Sequence, residues 1–279
     1  MIVSRAELER LLFEDAPLGD LTSECLALGR ETGAMRFAAR GPMVAALVEE
    51  AAQMIEIAGG EVTLSCAAGA MLRPGDVILS ARGPAPALLR AWKTAQTLLE
   101  IWSGVATGAR AIVEAARGAS PGAVVACTRK TPPGTRAFAL AAIKAGGAIA
   151  HRAGLSETIL VFPEHRVFLG GEPLAEIAQR LRRNAPEKKL VIEVKALEEA
   201  MAAAEAGFDA IQTEKFPPER VAELARHAAR RASRPVIAAA GGVNAGNARA
   251  YVEAGADVLV TSAPYLAPPC DVAVTIAPA

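Results

Sequence analysis

The segment Thr128-Arg129-Lys130-Thr131-Pro132-Pro133-Gly134-Thr135-Arg136 gathers three cations in a loop whose prolines limit its freedom. Arg129 could grip a carboxylate or phosphate through two parallel hydrogen bonds, Lys130 would add a point charge, and the threonines would add hydroxyl donors. A charged loop can equally be solvated surface, and this motif alone leaves both readings open. A second cationic group, His151-Arg152, follows the turn Gly146-Gly147. It lacks an acidic or histidine companion at helical spacing, so no zinc site is expected there and no metal ligand is assigned. Of the other histidines, His227 sits among Arg226, Arg230 and Arg231 on a basic helix and is expected at the surface, while His165 could serve either purpose. Ala240-Gly241-Gly242-Val243-Asn244, between a predicted strand and a predicted helix, would let backbone amides cradle a phosphate, or would merely turn the chain.

The elements that must position these residues follow from the apolar pattern. Short runs at 123–128, 158–162, 189–194, 209–213, 235–239 and 257–261 alternate with helical stretches, the signature of parallel strands joined by crossovers. Five or six such units suit an incomplete barrel of the TIM type better than a sandwich. Glu193 lies near the end of one run, and Glu214-Lys215, Gly241-Gly242 and Thr261-Ser262 follow three others. In a parallel barrel these ends share one face, where ligands bind, although any single polar residue there could simply belong to a loop. The run Arg180 to Lys189 reads as solvated surface.

The first hundred residues have a different texture. A first amphipathic helix is predicted over 5–13, then a polar turn, an extended segment over 32–40, and a helix carrying Val44, Leu47, Val48, Ala51, Met54, Ile55 and Ala58, stopped by Gly59-Gly60. Short strands over 61–66 and 76–81 and a long helix over 87–104 complete it. Two domains are predicted, at 1–104 and 105–265, with the tail 266–279 packing back on the first.

The 279 residues include 30 basic and 30 acidic side chains, so no overall cationic field exists of the kind a nucleic-acid binder uses. With 52 % apolar and 22 % charged residues the chain reads as an ordinary globule. The apolar stretch 137–150 is short of a bilayer span and holds Lys144, and residues 1–12 lack an uninterrupted apolar segment. A cytoplasmic protein with no membrane insertion is expected. Cys25, Cys66, Cys127 and Cys270 form no Cys-x-x-Cys pair and are expected to be buried, reduced thiols.

Taken together, Glu14 to Thr22, Lys93-Thr94-Ala95, Ser103-Gly104-Val105-Ala106-Thr107, the Thr128 to Gly134 loop, His151-Arg152 and Glu193 resemble, in order and spacing, the quinolinate phosphoribosyltransferases (nicotinate-nucleotide pyrophosphorylases). Within that family the chain is most similar to the ModD group of pyrophosphorylases associated with molybdenum transport. The resemblance implies an N-terminal α/β sandwich joined to an open, incomplete TIM-like α/β barrel. It implies transfer of 5-phosphoribosyl from phosphoribosyl pyrophosphate to a heterocyclic, pyridine-carboxylate-like acceptor, with a magnesium ion (Mg2+) and basic residues neutralising the departing pyrophosphate. In quinolinate enzymes decarboxylation follows and gives the nicotinate nucleotide. It also implies a homodimer, with pairing into hexamers left open, in which a cation crosses the interface; Lys93 occupies that place.

By the same resemblance Arg129, His151 and Arg152 bind substrate carboxylates, and Lys130 and Glu193 stand at the reacting centre. Glu214 occupies the place of a family Asp, and Gly241, Gly242 and Ser262 hold the 5-phosphate. The chain departs from the family where Leu160-Val161-Phe162-Pro163-Glu164-His165 replaces a motif with Lys at the position of Phe162. A second family Lys falls at Leu140, and the Asn before His-Arg falls at Ala150. The expected acceptor therefore need not be quinolinate, and Phe162 could stack on an aromatic acceptor that carries fewer carboxylates. The alternatives are an authentic carboxylating enzyme acting on quinolinate and a non-catalytic anion-binding accessory protein of molybdate transport.

Overall fold

In a computed structural model, which describes residues 3–279, the chain runs through the following elements. They are α1 (Arg5–Asp15), α2 (Leu21–Cys25), β1 (Thr32–Ala39), β2 (Met43–Val44), α3 (Val48–Ala58), β3 (Glu61–Leu64), β4 (Met71–Leu72), β5 (Val77–Pro84), α4 (Ala85–Ala119) and β6 (Val124–Cys127). Next come α5 (Arg136–Ala145), β7 (Ile149–Ala150), β8 (Ile159–Val161), α6 (Pro163–Arg166), α7 (Leu174–Asn184), β9 (Leu190–Val194) and α8 (Leu197–Glu205). The series ends with β10 (Ala210–Glu214), α9 (Pro218–Ala228), β11 (Val236–Ala240), α10 (Ala248–Glu253), β12 (Val258–Thr261) and β13 (Val272–Pro278). The fold is mixed α/β, as the alternation of apolar runs and helical stretches predicts. Two compact units emerge among the described residues: 3–110, 131–147 and 264–279 form the first, and 111–130 and 148–263 the second.

The first unit is built on an antiparallel sheet ordered β13-β1-β5-β3, with a short β2-β4 pair beside it. Alternation along β1 turns Met35, Phe37 and Ala39 inward, all buried, while Arg36 faces out. Helix α3 packs on β3 and β5 through Ala51, Met54, Ile55 and Ala58, and α1 packs on α3. Glu50, in the first turn of α3, is only 6 % exposed, and burial pushes its carboxyl up from the ordinary value.

Two expectations need correction in this unit. The α3 helix begins at Val48 rather than Val44, because the hydroxyls of Thr107 and Ser103 accept the backbone N–H groups of Val44 (2.9 Å) and Ala46 (3.1 Å). That holds the approach non-helical, and Leu47 then takes a left-handed φ of 57°. The long helix does not end at Gly104. It continues to Ala119, burying Leu88, Ala91, Ala95, Leu98, Trp102, Ala106, Ala109 and Val113 at three- and four-residue spacing. Gly104 is there for a close approach, since a Cβ at that position would lie 2.3 Å from the Pro268 carbonyl oxygen.

The second unit is a seven-stranded parallel half-barrel ordered β7-β6-β12-β11-β10-β9-β8. Pairing puts Glu193 beside Gln212, Gln212 beside Ala238 and Ala238 beside Val258. Because side chains alternate along strands, Gln212 and Glu214 share a face with Glu193 and with the small residues Ala238 and Ala240. Ala238, Ala240 and Val260 cluster there, leaving that face shallow. The seventh strand, β7, went unread in the sequence. Its two residues bond to Ala126 and Cys127 of β6 at the sheet edge, and His151 N–H donates to Cys127 C=O at 2.8 Å.

Candidate active site

The cationic residues of the second unit stand at the C-terminal ends of its strands, as a parallel barrel predicts. β6 delivers Thr128, Arg129 and Lys130; β7 delivers His151 and Arg152; β8 delivers Phe162. Arg152 is 8 % exposed, and its guanidinium lies 5.5 Å from the centre of the Phe162 ring. Since β7 and β8 are the two edges of the sheet, this cation–π contact spans the opening of the barrel. Burial pulls the Arg152 pKa down from its ordinary value, and the neighbouring positive charge of Arg129 pulls it further. Among the described residues no carboxylate lies within 4 Å of Arg129, Lys130 or Arg152. A buried Arg152 repelled by a half-buried Arg129, with no counter-charge beside them, is an arrangement that an anionic ligand would complete.

Glu193 and Glu214 supply the opposite sign on adjacent strands. Burial raises the Glu193 pKa, a hydrogen bond from Gln212 opposes that, and the charges of Glu214 and Glu164 raise it again. Gln212 Nε2 donates to Glu193 Oε2 at 2.6 Å. Gln212 was missed in the sequence, because a lone Gln inside an apolar run reads as strand interior. Only its register opposite Glu193 and its 4 % exposure mark it. Burial lowers the His151 pKa and the charge of Arg152 lowers it further, against smaller upward pulls from Gln212 and Glu157.

The Gly241-Gly242 turn uses the left-handed backbone open to glycine and is tightly packed at its first residue only. Both glycines have φ near +87°, at 86° and 88°, and a Cβ on Gly241 would lie 2.8 Å from the Lys215 amide nitrogen. Lys215 itself sits at φ 60°, immediately after Glu214, and donates its N–H to Ala240 C=O at 2.7 Å. Gly242 is open, with nothing within 4 Å of a would-be Cβ. The helix expected directly behind the glycines starts only at Ala248. Asn244 and Asn247 instead fold the loop by donating to Gly242 C=O at 3.1 Å and 3.0 Å. The Thr261 hydroxyl donates to Val243 C=O at 2.6 Å and accepts Ala263 N–H, tying the glycine loop to the segment bearing Ser262.

Not all the expected residues belong to the strand ends of the second unit. Lys93 belongs to the first unit, where it is exposed, stands 4.4 Å over the Trp92 ring and lines a groove of about 660 Å³ with Trp102, Pro132 and Phe138. Leu140 lies on α5, also in the first unit. His165 Nδ1 accepts the Phe162 N–H at 2.9 Å, and its ring stacks on Phe162. His227 is half-buried beside Glu205, with Nε2 3.2 Å from Oε1. The cysteine expectation needs correction. All four are free, but only Cys127 is buried, its thiol pushed up to about 12 by burial, whereas Cys25 is exposed. Among the described residues no group of three or more His, Cys, Asp or Glu could cage a metal, and no helix is long and apolar enough to cross a membrane.

Two family models cover almost all of this chain: the N-terminal domain of quinolinate phosphoribosyl transferase matches residues 20–103 and its C-terminal domain matches 105–275. The chain belongs to the quinolinate phosphoribosyltransferase family. Among relatives within it, ModD of Rhodobacter capsulatus, named for an inferred pyrophosphorylase activity, is 46% identical over 247 residues, covering 88% of this chain and 95% of the relative. The human carboxylating nicotinate-nucleotide pyrophosphorylase is 36% identical over 193 residues, 68% of this chain and 64% of that protein. The nicotinate-nucleotide pyrophosphorylase structure from Francisella tularensis superposes with a TM-score of 0.89 at 21% identity, covering 99% of this chain and 98% of that one, a likeness of fold. The half-barrel with its separate antiparallel sheet is thus the architecture of quinolinate phosphoribosyltransferase family members.

Proposed function

We propose that this family member transfers a 5-phosphoribosyl group from phosphoribosyl pyrophosphate to the ring nitrogen of an aromatic acceptor that carries fewer carboxylates than quinolinate. The observation that carries this reading is the Arg129–Arg152 pair, a buried guanidinium repelled by a half-buried one with no carboxylate beside them among the described residues, and capped by Phe162 where a dicarboxylate site would want another cation. One acceptor carboxylate completes the pair, and the Phe162 ring covers the acceptor's face. The ring nitrogen attacks C1′ of the ribose as the C1′–O bond to pyrophosphate breaks, and the bonding pair leaves with pyrophosphate. Glu193, fixed by Gln212, faces the positive charge that develops on the ribose, which is electrostatic stabilisation without a covalent step. Gly242 and Ser262, joined through Thr261, offer the 5-phosphate an open backbone turn and a hydroxyl, and Lys130 faces the departing pyrophosphate.

The donor set suits magnesium in a limited way. A hard cation that arrives on a diphosphate needs only one or two protein carboxylates, and Glu214 is the one that would hold it. When bound, magnesium neutralises the leaving group. Cytoplasmic residence, a link to molybdenum transport and a dimer in which Lys93 reaches a neighbouring site belong to the same proposal. They are supported by likeness to the ModD group and by the exposed position of Lys93 on its groove. Thermal unfolding with phosphoribosyl pyrophosphate and magnesium tests the reading. Ligand at about a hundred times its Kd should stabilise the protein by ~2.7 kcal/mol, and absence of any protection would refute it.

A further inference from the structure

His165 meets one residue of the site through three separate contacts. Its Nδ1 accepts the Phe162 N–H at 2.9 Å, its own N–H donates to Phe162 C=O at 3.1 Å, and the two rings stack with centroids 5.8 Å apart at 27°. Pro163 adds a further restraint: the residue before a proline is confined to extended backbone, and Phe162 stands at φ −93° and ψ 162°. The four-residue helix α6 that follows is too short to hold its shape alone. Arg166 ties its far end down, pairing with Glu199 on α8. From the other edge of the sheet the Arg152 guanidinium rests 5.5 Å from the centre of the Phe162 ring. Phe162 is thus held at both backbone and ring by His165, a residue whose purpose the sequence alone left open.

We propose that His165 is a positioning residue that sets acceptor selectivity through Phe162. By fixing the ring beside Arg152 it restricts the acceptor site to one carboxylate. Arg152 and Arg129 take that group, and the place of a second carboxylate is filled by an immobile apolar ring that offers neither charge nor hydrogen-bond donor. A Phe162 side chain free to change rotamer would open this place to water or to a second carboxylate, and discrimination would fall. The inference rests on the acceptor reading proposed above for the identity of the ligand; the hold of His165 on Phe162 does not, and is measurable with no acceptor present. A conservative replacement separates the hold from mere bulk. His165 is the third residue of α6, where a Gln side chain can reach back to accept the N–H of the residue before the helix, as in a capping box. Ala at this position can do neither that nor stack.

The test has a spectroscopic arm and a binding arm. The Nε–H resonance of Arg152, assigned by its loss in Arg152→Met, senses the Phe162 ring current in the free protein. It should move in His165→Ala and stay in place in His165→Gln. Calorimetry then compares nicotinate, a pyridine monocarboxylate, with the dicarboxylate quinolinate. The wild type should favour nicotinate at least tenfold in Kd. His165→Ala should lose most of that preference while keeping its affinity for pyrophosphate, and His165→Gln should restore it. The side chain is exposed, so both variants should fold, which thermal melts verify. An Arg152 resonance that does not respond to His165→Ala, or a wild-type preference that survives it, would overturn the role of His165 alone. A wild type that binds neither acceptor, or binds quinolinate as tightly as nicotinate, would overturn the acceptor proposed above and the selectivity with it.

Discussion

Arg152 illustrates how a proposed binding residue can be recognised from its discomfort. A guanidinium at 8 % exposure, repelled by Arg129 and facing an aromatic ring with no carboxylate partner among the described residues, is expected to weaken the free protein. Arg152→Met should therefore raise the melting temperature of the free protein, by ~1 kcal/mol of stability, while lowering pyrophosphate or acceptor affinity by at least tenfold. Calorimetric melts with and without pyrophosphate check both signs; a loss of stability with unchanged binding would mean that Arg152 is a structural residue. Residues such as Arg129, His151 and Arg152 were legible because charge beside a proline- or glycine-rich turn stands out in any sequence. Gln212 was not, since it meets Glu193 on a neighbouring strand that no local pattern reveals, and Thr261 was legible as a strand-end residue while its bond to the Val243 carbonyl was not.

Among the elements, strands were easier to read than helix boundaries. All six predicted barrel strands are present to within a residue or two, because buried parallel strands are continuous apolar runs. The seventh, β7, is two residues long and has no periodicity to read. The boundaries of α3 and α4 were misjudged for a shared reason: contacts distant in sequence decide them, Ser103 and Thr107 against the entry to α3, and Pro268 against Gly104. Gly104→Ala should accordingly destabilise the protein by ~1–3 kcal/mol through overpacking, although an alanine in an exposed helix would stabilise by ~1 kcal/mol. Denaturant titration decides the sign, and a gain in stability would show that α4 does not need this approach. Glu50 offers a pH test on α3. A carboxyl whose pKa rises on folding is penalised when ionised, so stability falls as pH climbs through the folded value above 4.5. Glu50→Gln should melt higher than the parent at pH 8, with the gap closing as pH drops below 4.5. A gap independent of pH would assign the effect to packing.

At the scale of the whole molecule, zero net charge conceals a strongly uneven distribution. Cations and two carboxylates converge on one end of a half-barrel whose inner face is lined by alanines, which leaves room for a ligand between opposite charges. The family could be reached from sequence because its loop blocks sit at strand ends, whereas the acceptor could not, because a change such as Phe162 bears on the site without altering the fold. The central claim is that Glu193 serves phosphoribosyl transfer at this end of the barrel. The most direct measurement is phosphorus NMR of pyrophosphate release from phosphoribosyl pyrophosphate and magnesium, with quinolinate and with monocarboxylate acceptors, in the wild type and in Glu193→Ala. Release with a monocarboxylate acceptor that exceeds release with quinolinate, and that falls at least a hundredfold in Glu193→Ala, is the predicted result. Release that persists in Glu193→Ala, or a folded protein that turns over none of the acceptors, would contradict the account.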